Sequence, residues 1–457
     1  MRFFTKRNSR FSFQVTNSDQ ATAHGGQVLV DALCQRFGLW KKIDDAAKLD
    51  PRKRKDQGFA PRAIIAQLLF TLTSGGVSLA DAERLGQDPV LLDLVGLDKG
   101  ADQSTLGEWL RAQTPESLLE LLQLNWDLVS WARAQVKPAR YLRAGTLDVF
   151  FDDTEIEVHG KHYEGARINY EGQLALSLQT LWLGPFWLDG ILDGAPDPSQ
   201  HLPALVRQHQ PCWAEEKSHF FADSASSGAA YLDVIDQAGF SSWSVSYNKW
   251  TSVLDRQADA QPETQWGAVV TDEQRVLNYL WQNHQPGECK RPYRFATVRR
   301  KEVGELLWTY GHVVGEPGAL KEAQLHMERH QLKGLCEQRF SEVLSDLDLH
   351  HPPCLELVAN QAFYAITMLA YNLLVTLKLL ELPDDAQGWR VRTIIRHLLT
   401  VPVTVSRHAR YVRATVCIPS GWLRWWRLYL ERWVPKRKPG RPKLQVEAGL
   451  NTTQRKT

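Results

Sequence analysis

Three apolar runs between residues 142 and 192 constrain the fold of this chain more than any other feature. Residues 142–158, 173–183 and 186–192 are rich in Leu, β-branched and aromatic residues, and turns bearing Gly and Asn separate them. Runs of that length, so bounded, predict strands, and Gly184-Pro185 predicts a hairpin between the second and third. A helix-like segment near residues 200–208 follows, then a strand ending at Asp223, a helix over 227–237 and a strand over 240–247. Hairpin-linked strands followed by alternating helix and strand predict an α/β fold built on a mixed sheet with an antiparallel edge.

The flanks read differently. Residues 1 to about 23 form a polar, basic arm. From Gly25 to about Pro138, apolar residues recur three and four apart, as in Val28-Leu-Val-Asp-Ala-Leu-Cys-Gln-Arg-Phe37, which predicts helices. Ser78 and Ser104 stand as N-caps of two short helices, forming either a helix-turn-helix or part of a bundle. Residues 250–318 are polar and irregular, with candidate strands at 293–298 and 307–314, and read as an insertion. Residues 325–349 read as a helix, and 357–380 as a long apolar helix. Asn372, Lys378 and Glu381 in this greasiest stretch favour a buried helix over a membrane span.

Three acids fall where a metal-bound nuclease needs them. Asp152 follows the run Thr146-Leu-Asp-Val-Phe-Phe151, Asp223 closes His219-Phe-Phe-Ala-Asp223, and Glu337 lies in the helix over 325–349. A carboxylate at the end of a buried strand is held rigidly at the rim of a sheet. Two rims and one helix can converge on Mg²⁺, a hard cation that prefers oxygen ligands. Taken singly, each acid is equally a solvated strand end or helix face; their shared context is what points to metal. Asp148 and Asp153 crowd the first position, and Asp148 would share a strand face with Asp152. Asp152 is the choice here, by its spacing to Glu157-Val-His-Gly160, with Asp153 as the fallback.

The net charge of +2 conceals segregation. From Ala386 onward there are sixteen Lys/Arg against two acids, Glu431 and Glu447, whereas the preceding residues hold 38 against 50. Such a split points to a polyanionic partner for the C-terminal part. Arg407-His-Ala-Arg-Tyr-Val-Arg413 interleaves cations (Arg407, Arg410, Arg413) with an aromatic, which suits phosphates and stacked bases. Arg424-Trp-Trp-Arg427 is equally a helix with a buried Trp face. Lys436-Arg-Lys-Pro-Gly-Arg-Pro-Lys443 supplies Lys436, Arg437, Lys438, Arg441 and Lys443, and partly resembles an AT-hook, a flexible minor-groove tether. The six cysteines are scattered without a C-x-x-C pair, as expected of reduced thiols in the cytosol. His350-His-Pro-Pro-Cys354 is better read as a structural loop than as a metal site.

In this order the motifs resemble the DDE transposases of bacterial insertion sequences, in particular the group with the signature Y-x2-R-x3-E. Asp152-Asp-Thr-Glu-Ile-Glu-Val-His-Gly-Lys161 is similar to that group's first-strand motif, and Phe221-Ala-Asp-Ser224 to its second. Leu332-Lys-Gly-Leu-Cys-Glu337, then Ala359-Asn360 and Leu369-Ala-Tyr-Asn372, resemble the catalytic helix and the apolar helix behind it. The tyrosine and arginine of the signature fall on His330 and Lys333, and the lysine that commonly follows the glutamate falls on Leu344. Phosphate contacts would therefore pass to Arg329, Lys333 or Arg339, with His330 beside them.

The resemblance implies an RNase H-like core with an inserted subdomain over residues 141–385, the insertion lying at about 250–318. It implies an N-terminal helical DNA-binding or dimerisation region over 1–140 and a basic DNA-binding region over 386–457. Asp152, Asp223 and Glu337 would hold two Mg²⁺ or Mn²⁺ ions, which activate water and then a freed 3′-OH for in-line attack on phosphodiesters. The implied partners are double-stranded DNA, as terminal inverted repeats and target, and a second copy of the chain in a paired-end complex, in the bacterial cytoplasm and with no membrane. Competing expectations are an RNase H-like nuclease without strand transfer and an inactive, domesticated DNA-binding protein.

Overall fold

The computed structural model describes residues 2–4, 10–12, 20–160, 162–249, 251–267, 269–271, 275–302, 304–408, 411–426 and 443–445. The N-terminal helices include α1 (Gln27–Phe37), α2 (Pro61–Thr73), α3 (Leu79–Gly86), α4 (Gln103–Arg111) and α5 (Pro115–Gln135). Ser78 caps α3 by accepting from the Asp81 amide, as its sequence suggested. For α4 the cap is Asp102, whose carboxylate takes the Thr105 amide at 2.7 Å, so Ser104 lies inside the helix. A further short helix, Pro89–Val95, separates α3 from α4. The two therefore lack the tight connection of a helix-turn-helix and pack as part of a bundle. Gly86 and Gly100 make that packing feasible: a Cβ on Gly100 would lie 2.4 Å from the Gly86 Cα.

The predicted strands are β1 (Leu147–Glu157), β2 (Leu174–Leu183) and β3 (Phe186–Asp193). Gly184 takes φ +57° at the first position of the two-residue β2–β3 loop, where a tight hairpin needs a positive φ. Helix α6 (Leu202–His209), β4 (Ser218–Ala222), α7 (Ala229–Gln237) and β5 (Ser242–Tyr247) complete the alternation. In space the strands run β3-β2-β1-β4-β5. The pairs β1–β2 and β2–β3 are antiparallel, whereas β1–β4 and β4–β5 are parallel. This order and polarity is the RNase H-like core that the motifs implied.

The stretch read as an insertion extends this same sheet. After α8 (Thr251–Asp259) come β6 (Arg275–His284), β7 (Tyr293–Glu302) and β8 (Thr309–Glu316). Strand β8 pairs antiparallel with β5, then β7 and β6 follow outward. The edge that β5 would otherwise expose is thereby covered. Strand β6 was not among the expected strands, because its buried positions include Asn278 and Gln282, which break the apolar alternation. Each finds a partner inside: Asn278 accepts from Arg299, and the Gln282 Nε2 donates to Thr297.

Residues 325–349 are not one regular helix. They form α9 (Ala323–His330), a 3-10 turn (Gln331–Lys333), α10 (Gly334–Ser341) and a π turn (Glu342–Asp346). Behind them runs α11 (Leu357–Glu381), with twenty of its 25 residues buried. Among the described residues it is the one helix long and apolar enough to cross a membrane, and here it is the core helix. Its two asparagines act as backbone clamps. Asn372 accepts from the Trp187 amide (3.0 Å) and donates to the Trp187 carbonyl (2.8 Å), beside a register shift between β2 and β3. Asn360 does the same for Cys354 (2.9 and 2.8 Å), which fixes the His350–Cys354 loop as structure. Each bond satisfies a buried backbone group that would otherwise cost about 1–3 kcal/mol.

The helical bundle, the sheet and α11 share one hydrophobic cluster. The C-terminal region is tied to the N-terminal segment: β9 (Val403–His408) pairs with Ala21–Thr22 on one side and β10 (Tyr411–Val416) on the other.

Candidate active site

Strand polarity creates the site. On one side β1 meets an antiparallel neighbour, β2, and on the other a parallel one, β4. The chain leaving β4 must turn away, and a crevice opens where the C-terminal ends of parallel strands face solvent. Asp152 lies on β1 just past the last residue paired with β4, Phe150, and Asp223 follows the end of β4. The phenyl rings of Phe150 and Phe221 stack below them with centroids 4.7 Å apart, which fixes the two strands side by side.

Three carboxylates converge here: Asp152, Asp153 and Asp223 each bring one oxygen within 4.8 Å of the others. Asp152 is buried, and its Oδ2 accepts from Lys333 Nζ at 3.0 Å. The Asp152 carbonyl is held by Thr180 Oγ1 (3.0 Å), itself fixed by the Trp182 indole (2.8 Å). Asp153 pairs across the sheet with Gln179, whose amide clamps the Asp197 carbonyl and the His201 amide. Asp223 Oδ1 accepts from the Ala225 amide at 3.0 Å, which fixes its side chain at the start of a 3-10 turn.

Their electrostatics are those of crowded acids short of positive charge. Burial pushes the Asp152 carboxyl up to about 6, against the pull of Lys333 and with a further push from Asp223. Asp153 is pushed up to about 7, by burial first and then by Asp223 and Asp152. Like charges held this close are relieved by a cation. The donors are all carboxylate oxygens, a set that fits Mg²⁺ or Mn²⁺ rather than a soft metal.

The other acids are placed elsewhere. Asp148, on β1, is closed off by Arg143 (3.0 Å) and Arg329 (2.9 Å). Glu337 is in the first turn of α10, exposed, and outside the carboxylate cluster. Helical geometry explains this. Lys333, Cys336 and Phe340 recur on one stripe that faces the sheet, with Cys336 and Phe340 buried and Phe340 edge-on to Trp182 at 6.0 Å. Glu337, four residues after Lys333, stands at the solvent edge of that stripe, where it is exposed. The Cys336 thiol, pushed up mainly by burial and next by Asp152, feels Glu337 more weakly.

The expected DNA-contacting residues divide similarly. Lys333 is at the cluster. His330 is buried, its Nδ1 2.9 Å from Ser244 Oγ and its Nε2 2.7 Å from Ser246 Oγ. Burial holds its pKa down to about 3, so the ring is neutral and joins α9 to β5. Arg339 lies half-buried with its guanidinium 4.6 Å over the Phe150 ring, and burial lowers its pKa. Arg413 is half-buried on β10. Arg407 is on β9 and Lys443 on a short strand, Lys443–Gln445, paired with β10, but their side chains lie outside the described residues. Arg410, Lys436, Arg437, Lys438 and Arg441 also lie outside the described residues.

Comparison with known families decides the class. The family model described as transposase DDE domain, group 1, matches residues 7–176 and 188–424. The chain belongs to the DDE transposase family. No curated protein matches it. Membership of this DDE family implies an enzyme that cuts nucleic acid with divalent metal, and the carboxylate cluster is where such a metal fits.

The tryptophans of the stretch at about 250–318 mostly serve structure. Trp266 and Trp308 sandwich the Arg299 guanidinium at 4.1 and 4.5 Å, and Trp281 carries Arg294 at 4.2 Å. Trp250 lies outside the described residues. In the C-terminal segment Trp426 is buried and Trp425 packs on Trp389, which favours the reading of a buried Trp face. Part of the C-terminal charge is likewise paired within the chain: Arg390 and Arg392 with the buried carboxylate of Asp346, and Arg424 with Asp385 at the surface.

Proposed function

We propose that this protein is the DNA transposase of an insertion sequence, binding terminal inverted repeats, cleaving at the element ends and transferring the freed 3′-OH to target DNA. The observation that carries the reading is the convergence of Asp152, Asp153 and Asp223 at the ends of adjacent parallel strands, beside Lys333. The proposed catalytic acids are Asp152, Asp223 and Glu337, as ligands of two divalent ions. Asp153 shares the cluster, and Glu337 joins it when DNA and metal bind. When bound, the metal supplies Lewis acidity for in-line displacement at phosphorus.

The chain's own residues do the positioning. Asp223 is pinned by the Ala225 amide, and Asp152 by its place in the middle of the sheet, so the acids are oriented before substrate arrives. Lys333 is the cation nearest the cluster and is proposed to receive a scissile-strand phosphate oxygen. The basic residues from Arg407 onward, including Arg410, Arg413, Lys436, Arg437, Lys438, Arg441 and Lys443, are proposed to track the DNA backbone. Joining needs two ends held together, so the active species is proposed to be a homodimer on paired ends, acting on the bacterial nucleoid.

The test uses precleaved ends. Duplex ends bearing a 3′-OH, incubated with protein, Mg²⁺ and a supercoiled plasmid, give joined products; the same ends with a terminal 3′-deoxy sugar bind equally and join nothing. Cleavage without any joining from the 3′-OH substrate replaces this reading with that of a nuclease lacking strand transfer.

A further inference from the structure

Lys333 belongs to the inward stripe of its helical segment and reaches Asp152 Oδ2 at 3.0 Å, with both side chains largely buried. Among the described residues, no other cation lies within ion-pair distance of Asp152 or Asp153. Its neighbours are committed elsewhere: Arg329 to Asp148, and Arg339 over Phe150. One ammonium thus stands against three clustered carboxylates, on one of the two oxygens of Asp152.

We propose that Lys333 is an internal placeholder for the metal, occupying Asp152 in the metal-free protein and released toward a DNA phosphate when a divalent ion takes the carboxylates. This rests on the reading of the cluster as the catalytic metal site, and it adds a regulation of that site. An ammonium and a divalent cation compete for the charge of one carboxylate, and two cations so close repel each other, so metal binding opposes the Lys333 contact. The displaced ammonium loses its partner in a half-buried place, and a phosphate oxygen is the partner that restores it. Metal and DNA therefore bind with positive coupling, each removing a cost from the other, and by linkage the coupling is equal in both directions. The arrangement keeps metal weakly held until a DNA strand is present.

Mn²⁺ alone is the first probe, its free concentration read by electron paramagnetic resonance on the full-length protein without DNA. Lys333→Met should bind Mn²⁺ about tenfold more tightly than wild type, within the usual range for coupled sites. Lys333→Arg, which keeps the charge, should stay near wild type. In an Asp152→Asn background the Lys333→Met change should have little effect, because the competed charge is gone. A second measurement uses the unaltered protein: labelling with an amine-reactive ester, located by mass spectrometry, should rise at Lys333 when Mg²⁺ is added. If wild type binds Mn²⁺ but Lys333→Met binds it no more tightly, or Lys333 labelling is unmoved by Mg²⁺, the placeholder role is overturned while the metal site stands. If neither wild type nor Lys333→Met binds Mn²⁺, the metal site itself falls, and this inference with it.

Discussion

His330 Nδ1 lies 2.9 Å from Ser244 Oγ, inside the protein rather than on a DNA-facing surface. The contact is one rung of a buried chain. Ser242 Oγ meets His219 Nδ1 (2.6 Å), His219 Nε2 meets Ser244 Oγ (3.0 Å), and His330 Nε2 meets Ser246 Oγ (2.7 Å). Ser242, Ser244 and Ser246 alternate along β5 on one face, so strand periodicity builds the serine side of the ladder. Burial holds both imidazoles well below their ordinary pKa, so each ring is neutral, with one donor and one acceptor nitrogen.

Ser244→Ala strips a partner from both rings at once. The loss should be about 1–3 kcal/mol of stability, read by urea unfolding. His330→Ala should likewise lower the unfolding midpoint, yet leave the salt dependence of DNA binding unchanged. A reduced salt slope for His330→Ala, with stability intact, would restore it to the list of phosphate contacts.

Alanine substitutions sort the acids. Asp152→Ala, Asp223→Ala and Glu337→Ala should each abolish Mg²⁺-dependent cleavage while binding to end DNA persists, because carboxylates act on metal and not on base sequence. Asp153→Ala is the discriminating variant, since Asp153 shares the cluster and Glu337 does not. Near-wild-type cutting by Glu337→Ala together with inactivity of Asp153→Ala would reassign the third ligand to Asp153.

The raised carboxyls give a pH dependence of definite sign. Folded, Asp152 and Asp153 hold their protons up to about 6 and about 7, above the ordinary carboxyl value of 3.8. Their contribution to stability is thus full below about pH 4 and is lost as pH rises through 6 to 7. Mg²⁺ should restore it at pH 8, by about 2–3 kcal/mol at a hundredfold excess over Kd. Much less should be gained at pH 5, where protons compete for the ligands. Calorimetry with Mg²⁺ and with chelator at the two pH values checks this; an equal gain at both would show the metal bound elsewhere.

The C-terminal arginines should separate into two kinds. Deleting residues from Pro435 onward should weaken DNA binding and flatten its log–log salt dependence, each lost phosphate contact removing roughly one unit of slope. Arg392→Ala should act on folding instead, because it leaves the buried Asp346 short of a partner. The expected cost is about 1–2 kcal/mol, because Arg392 is half exposed and Arg390 still pairs with Asp346, read in denaturant unfolding. An unchanged slope after truncation would make the tail a bystander.

What the sequence by itself determined is local. The apolar runs of β1, β2 and β3 declare themselves because burial on a sheet imposes composition residue by residue. Gly184 marks its hairpin because few other residues accept φ +57°. The long stripe of α11 declares a core helix in the same way, and the position of Asp223 at a strand end follows from where its run stops; Asp152, expected at a strand end, lies mid-strand because β1 continues to Glu157.

Tertiary structure alone decided the rest. Strand parity sends Asp152 and Asp153 to opposite faces, yet both reach Asp223 just past the point where the parallel pairing of β1 with β4 stops. That Lys333 faces Asp152, that Glu337 does not, and that His330 is tied to serines all depend on the phase at which α9 and α10 dock on the sheet. Charge counts could not separate Arg390 and Arg392, spent on Asp346, from cations free for DNA. The physical reason is the same throughout: a residue's type records the environment it needs, but which distant partner supplies that environment is fixed only when the packed elements bring the two together.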